Sequence, residues 1–160
     1  MRQVDALLDE YGESHQNPKN KLIHWFCVPL IFFSTVGLMW SIPAGPLAGL
    51  LPAPAGAYLN WATVLLAGTI VWYLRMSVAL AVGMVGVSVA MVVATEWVVA
   101  SVSVPLWQFC TAVFVLAWIG EFIGHKIEGK KPSFLKDLQF LLVGPMWLLH
   151  FVYKKAGIGY

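Results

Sequence analysis

The stretch LIHWFCVPLIFFSTVGLMW, residues 22–40, decides the fold of this chain. Apart from His24 it carries no acidic or basic side chain. Its length is close to the roughly 20 apolar residues that an α-helix needs to cross the hydrocarbon core of a bilayer. The stretch therefore predicts a membrane-spanning helix.

The composition of the whole chain supports a membrane location. Hydrophobic residues make up 59% of its 160 positions and charged residues 11%, whereas a soluble domain carries about 25% charged residues. The net charge of +2 is too small to indicate a nucleic-acid partner. Cys27 and Cys110 lie in apolar stretches without a C-x-x-C pattern, which argues against disulfides or a thiolate metal site. We expect a single membrane domain over residues 1–160, surrounded by lipid.

The residues before the first span predict a separate short helix. Apolar side chains among positions 4–11 recur at helical spacing between acidic residues, which is typical of an amphipathic helix lying on the membrane or on the protein. This helix should end near Gly12. Asn17 then serves as the N-cap of a new helix, with Pro18 at its first position, where the missing N–H costs nothing.

Further apolar segments predict a polytopic all-α bundle. Residues 58–74, 76–99 and 105–123 are each apolar enough to form a helix, and together with residues 22–40 they make four predicted spans. Arg75 separates two of them. A charged residue costs at least ~2.5 kcal/mol at the bilayer centre, so we expect Arg75 in a turn at the membrane interface.

The last apolar stretch, residues 138–153, is interrupted by Gly144-Pro145. It is short for a span, and a proline breaks or kinks a helix. We therefore expect a hairpin broken at this point that is re-entrant or lies at the interface. With that ending, all ten lysines and arginines fall on the cytoplasmic side, as the positive-inside rule favours.

Four histidines are expected near this cytoplasmic face. His15 and His24 flank the start of the first span, His125 closes the fourth, and His150 lies near the end of the last stretch. The predicted break between the first two helices lets the earlier segment fold back, so that His15 and His24 can converge. Interfacial histidines can instead satisfy polar helix ends. Four on one face nevertheless favour a metal site.

Carboxylates accompany the third histidine. Glu121, His125 and Glu128 are spaced i, i+4 and i+7 and so share one helical face, where the acids can join or support a ligand. Imidazoles with a carboxylate suit Fe(II) or Zn(II). For Glu121 an ion pair or hydrogen bond to a neighbouring helix is the alternative. Lys130 and Lys131 form a basic turn that can receive a carboxylate or phosphate head group, or can simply be a positive-inside flank.

One motif carries a family resemblance. Residues 11–29, YGESHQNPKNKLIHWFCVP, together with Gly124-His125 and the following KKP, resemble the Mpo1-like membrane proteins over essentially the whole chain. The most specific part is H-x-N-P-x-N-x-x-x-H, formed by His15, Asn17, Pro18, Asn20 and His24. Asn17 and Asn20 are therefore candidates to support or join the metal ligands.

The resemblance implies an Fe(II)-dependent dioxygenase. Such an enzyme uses O2 to shorten a long-chain 2-hydroxy fatty acid by one carbon, as in fatty acid alpha-oxidation. His15, His24 and His125 carry over as iron ligands, with His150 as a fourth candidate. The expected location is a bacterial inner membrane, or the endoplasmic reticulum in a eukaryote, with the metal on the cytoplasmic side. The sequence leaves an oligomer open.

Two other classes of function remain open from the residues. In a haem-binding electron-transfer protein, two histidines on neighbouring helices would be the axial ligands, but such pairs are expected deep within spans. A non-catalytic scaffold or small transporter would not need a bound metal.

Overall fold

The computed structural model describes residues 2–129 and 134–160, with the side chains of residues 134–139 excepted. The described residues form six α-helices and two short 3₁₀ turns, and they contain no strand, so the predicted all-α class is confirmed. The helices are α1 Gln3–Glu13, α2 Pro18–Trp40, α3 Trp61–Met76, α4 Val78–Ser101, α5 Leu106–Glu128 and α6 Phe134–Ala156. The 3₁₀ turns are Gly45–Leu47 and Ala55–Tyr58.

Three of these helices are long and apolar enough to cross a membrane. They are α2 with 23 residues, α4 with 24 and α5 with 23. α3 is also apolar but has 16 residues, which is short of the length that a straight span needs. Its start is fixed by Asn60, whose side chain accepts hydrogen bonds from the backbone N–H groups of Ala62 and Thr63. The count of four spans therefore stays a prediction.

The break between α1 and α2 is confirmed. α1 ends at Glu13, and the Asn17 side chain accepts a 2.9 Å hydrogen bond from the backbone N–H of Lys19. Pro18 occupies the first position of α2. The residues between the two helices form a short connection, on which His15 lies.

The last apolar stretch forms one helix, so the predicted hairpin is wrong. α6 continues through Gly144 and Pro145 without interruption. A proline removes one backbone N–H and kinks a helix, but packing on neighbouring helices can hold the kinked helix together. Residues 143–148 are all buried, and the Tyr73 hydroxyl of α3 donates a 2.7 Å hydrogen bond to the carbonyl of Leu142. These contacts outweigh the local tendency to break.

α2 lies at the centre of the bundle and packs most extensively on α5. Glycines allow this close approach, as at small-residue interfaces between membrane helices. A Cβ added to Gly37 or Gly120 would overlap the Sγ atom of a cysteine on the opposite helix, and one added to Gly124 would overlap the side-chain oxygen of Asn20. The N-terminal end of α2 therefore lies directly against the C-terminal end of α5.

Candidate metal centre

Three histidines from separate elements meet at this end of the bundle. His15 comes from the connection after α1, His24 from the second turn of α2 and His125 from the last turn of α5. Each offers one ring nitrogen, and these three atoms lie within 4.8 Å of one another. The ring centroids of His15 and His24 are 4.1 Å apart, and each lies 5.6 or 5.3 Å from that of His125.

Backbone carbonyls fix the orientation of two of these rings. Nδ1 of His15 lies 2.5 Å from the carbonyl oxygen of Tyr11, and Nδ1 of His24 lies 3.0 Å from that of Asn20. A carbonyl can only accept, so each Nδ1 carries the hydrogen and donates it, and each Nε2 keeps its lone pair. Holding the imidazole by its other nitrogen in this way is the usual arrangement at protein metal sites.

The two lone pairs have no hydrogen-bond partner among the described residues. Nε2 of His15 and Nε2 of His24 are both buried without one. A buried polar atom left in this state is costly, and it requires an explanation such as a bound ion or water. A metal ion bound by both nitrogens would satisfy them together.

His15 is also held in the protonation state that a metal requires. Burial, with the neighbouring His24 and His125 as smaller contributions, lowers the pKa of His15 from 6.5 to about 3. The imidazole is therefore neutral at pH 7. A neutral ring can coordinate without first losing a proton.

Glu121 places a carboxylate beside the histidines. It lies on α5 one turn before His125 and is buried. Its Oε2 is 2.5 Å from Nε2 of His24, without hydrogen-bonding geometry, and its Oε1 is buried without a hydrogen-bond partner. Two atoms with lone pairs repel at this distance unless a proton or a cation lies between them. A shared proton would make the ion pair that the sequence also allowed for Glu121. A bound cation would instead be held by three nitrogens and one carboxylate.

Glu128 supports the site from outside. Its Oε1 accepts a 2.8 Å hydrogen bond from the backbone N–H of Gln16, and its Oε2 accepts from the N–H of Asn17 and from Nδ2 of Asn20, at 2.9 and 3.0 Å. Both oxygens are thus engaged in tying α5 to the connection that carries His15. Asn17 caps α2, and Asn20 also donates to the carbonyl of Ser14 at 3.1 Å. All three residues connect the segment around His15 with α2 and α5.

The structure does not bring His150 into this group. Its Nδ1 is hydrogen-bonded to the hydroxyl of Tyr160, and its ring lies against Phe151. The α6 residue next to His15 is Trp147, with ring centroids 5.3 Å apart. The predicted carboxylate-binding residues Lys130 and Lys131 lie outside the described residues.

A small cavity opens beside the histidines. Polar groups line one part of it and apolar side chains the other. The polar residues are Tyr11, His15, Glu121 and His125, and the others are Val28, Ile31, Trp118, Phe140 and Leu141. Sequence reasoning missed Tyr11, whose ring stacks on His15 at 4.1 Å. The signal was present, because Tyr11 and His15 are four residues apart at the end of a helix.

These donors fit a non-haem metal ion. Neutral imidazoles and a carboxylate are ligands that Fe(II) and Zn(II) share. Thiolates take no part, since the site has no cysteine among its described residues. Ring centroids only 4.1 Å apart also leave no space for a haem between His15 and His24.

One known protein family matches nearly the whole chain. The family described as 2-hydroxy-palmitic acid dioxygenase Mpo1-like matches residues 1–156. Searches of curated proteins and of solved structures gave no match. The chain belongs to the Mpo1-like family, and the expected membership is confirmed.

Proposed function

We propose, starting from this membership, that the chain is an Fe(II)-dependent dioxygenase that shortens a long-chain 2-hydroxy fatty acid by one carbon. One observation carries the proposal. Two buried imidazoles are oriented by backbone carbonyls so that unpartnered lone pairs lie next to a third histidine, a carboxylate and a partly apolar cavity. The overall reaction balances when one hydroxy acid and one O2 give the shorter acid, CO2 and water.

In this proposal His15, His24 and His125 hold the iron, and Glu121 is the adjoining carboxylate. Bound iron would supply positions for O2 and for the hydroxyl and carboxylate of the substrate. Oε1 of Glu121 is buried and unpartnered on a residue that lines the cavity. It is therefore placed to accept the proton of the 2-hydroxyl group.

The rest of the cavity serves the first part of the alkyl chain. Val28, Ile31 and Leu141 line it on the side away from the polar residues. Apolar walls favour methylene groups by about 0.8 kcal/mol each and exclude water from the reacting atoms. A substrate with a polar head and an apolar tail matches this division.

The proposed site lies at the cytoplasmic surface of a membrane. The ends of α2 and α5 at this site carry Lys19, Lys21 and Lys126. Basic residues concentrate on the cytoplasmic side of membrane proteins. The chain would then receive its substrate from lipid, in a bacterial inner membrane or in the endoplasmic reticulum of a eukaryote.

Product analysis tests the proposal. We expect purified protein loaded with Fe(II) under O2 to convert 2-hydroxypalmitic acid into pentadecanoic acid, as detected by mass spectrometry. Palmitic acid should react poorly, because it lacks one of the two chelating oxygen atoms. Protein loaded with Zn(II) is the control. Equal turnover with zinc would contradict oxygen activation and with it the proposal.

A further inference from the structure

A second apolar space lies next to the histidine cavity. It is an open groove between α2, α4 and α6, and every residue that lines it is apolar. Phe32 of α2, Val87 and Met91 of α4 and Leu148 of α6 form its walls. Nothing in the proposed chemistry at the histidines uses this groove.

Two prolines line the groove. Pro29 lies inside α2 and Pro145 inside α6, and both line it. A proline within a helix removes a backbone hydrogen bond and kinks the helix. A bend at these two positions would favour space between α2 and α6.

The groove and the cavity share one lining residue, Val28. A glycine, Gly144 of α6, faces this valine. A Cβ added to Gly144 would lie 3.1 Å from Val28 Cγ1 and 3.2 Å from the Tyr11 hydroxyl oxygen. Tyr11 in turn stacks on His15. The junction between the two spaces is therefore within two side chains of the metal centre.

We propose that the groove binds the distal part of the alkyl chain of the substrate and so selects its length. This inference rests on the proposed function. With the head group at the histidines, the chain passes Val28 and continues between Pro29 and Pro145. The groove also opens to lipid, because Trp25 and Val152 on its lining are 41% and 49% exposed. A fatty acid can therefore enter sideways from the membrane.

Filling the groove tests this assignment. Each methylene in an apolar site strengthens binding about fourfold, so turnover of 2-hydroxy acids by the native chain should favour long chains in kcat/KM. Met91→Trp should remove most of that preference, so that kcat/KM falls much more for 2-hydroxypalmitic acid than for 2-hydroxyoctanoic acid. Val82→Trp is the matched control, since Val82 lies on α4, is 66% exposed and does not line the groove. An unchanged length profile in Met91→Trp would overturn the assignment.

Cross-linking tests the groove independently of turnover. Zn(II)-loaded protein in lipid nanodiscs is photolysed with 2-hydroxypalmitic acid that carries a diazirine at its terminal carbon. We expect label on the α4 segment around Val87 and Met91, and competition by unlabelled 2-hydroxypalmitic acid. Label elsewhere, or label that does not compete because bilayer lipid fills the groove, would contradict the inference. Competed label without any dioxygenase activity would retain the groove and reject the proposed reaction.

Discussion

At the end of the bundle that carries His15, side chains bind the backbone of neighbouring elements, whereas the opposite end consists mainly of exposed turns. Glu128 alone accepts hydrogen bonds from Gln16, Asn17 and Asn20. At the other end, none of residues 41–59 is buried.

The difference shows that polar contacts between elements are concentrated at the end that carries His15. A membrane helix bundle is stable mainly through packing between apolar helices. Buried polar networks add specificity of geometry at a cost when they are incomplete. The proposed metal site at the polar end would require geometry that is exact to a fraction of an ångström.

Removing a histidine should have the largest effect. We expect His24→Ala to reduce turnover of 2-hydroxypalmitic acid below detection, because the variant lacks a central ligand. The protein should still insert into the membrane, since alanine keeps the span of α2 apolar. Turnover and membrane content are measured together. Native turnover in this variant would contradict the assignment of His24 as a ligand.

Neutralising Glu121 should come next. Glu121→Gln keeps the shape of the side chain and removes its charge beside Nε2 of His24. Loss of a carboxylate that supports a metal-binding histidine typically lowers metal affinity about 10–100-fold. Titration of the metal-free protein with Co(II), followed by its visible absorption, measures this change. An affinity equal to that of the native chain would leave Glu121 a structural residue.

Two glutamates near helix ends provide a matched comparison between the ends of the bundle. In Glu128→Gln, an amide nitrogen replaces one of the two accepting oxygens, so at least one donor among Gln16, Asn17 and Asn20 loses its acceptor. We expect a lower melting temperature and weaker metal binding. Glu96→Gln on α4, far from the histidines in the bundle, should change neither the metal affinity nor turnover. Equal effects of both variants on metal affinity would refute the special role of Glu128.

A pair of glycines should show the smallest of these effects. Gly124→Ala places a Cβ against Asn20 and 3.3 Å from Cε1 of His24, whereas one added in Gly86→Ala meets nothing within 4 Å. Overpacking typically costs about 1–3 kcal/mol. We expect thermal unfolding in detergent to show destabilisation and reduced metal binding for Gly124→Ala alone. Identical melting of the two variants would mean that the α2–α5 contact is looser than described.

The sequence predicted the features that depend on residues close to one another in the chain. The apolar stretch 22–40 indicated α2, and Asn17 with Pro18 marked its start, because capping depends on neighbouring residues. The convergence of His15, His24 and His125 was also predicted from the sequence. The helix break lets His15 fold back toward His24, and His125 lies at the end of a span on the same side.

Tertiary packing determined what the sequence did not predict. α6 was predicted to break at Pro145, but burial of residues 143–148 holds it in one helix. On that helix Trp147, not His150, lies next to His15. The role of Glu128 also depends on the approach of α5 to the connection before α2, which a helical spacing pattern does not reveal.

The number of histidines that hold the metal is the most direct test of this account. Each histidine is changed to alanine singly, and iron bound per purified, membrane-inserted chain is measured by elemental analysis after loading with Fe(II). We predict that His15→Ala, His24→Ala and His125→Ala lose the bound iron, while His150→Ala keeps it, because His150 pairs with Tyr160. Loss of iron in His150→Ala to the same extent as in the other three, or retention of iron in all four variants, would contradict the three-histidine centre.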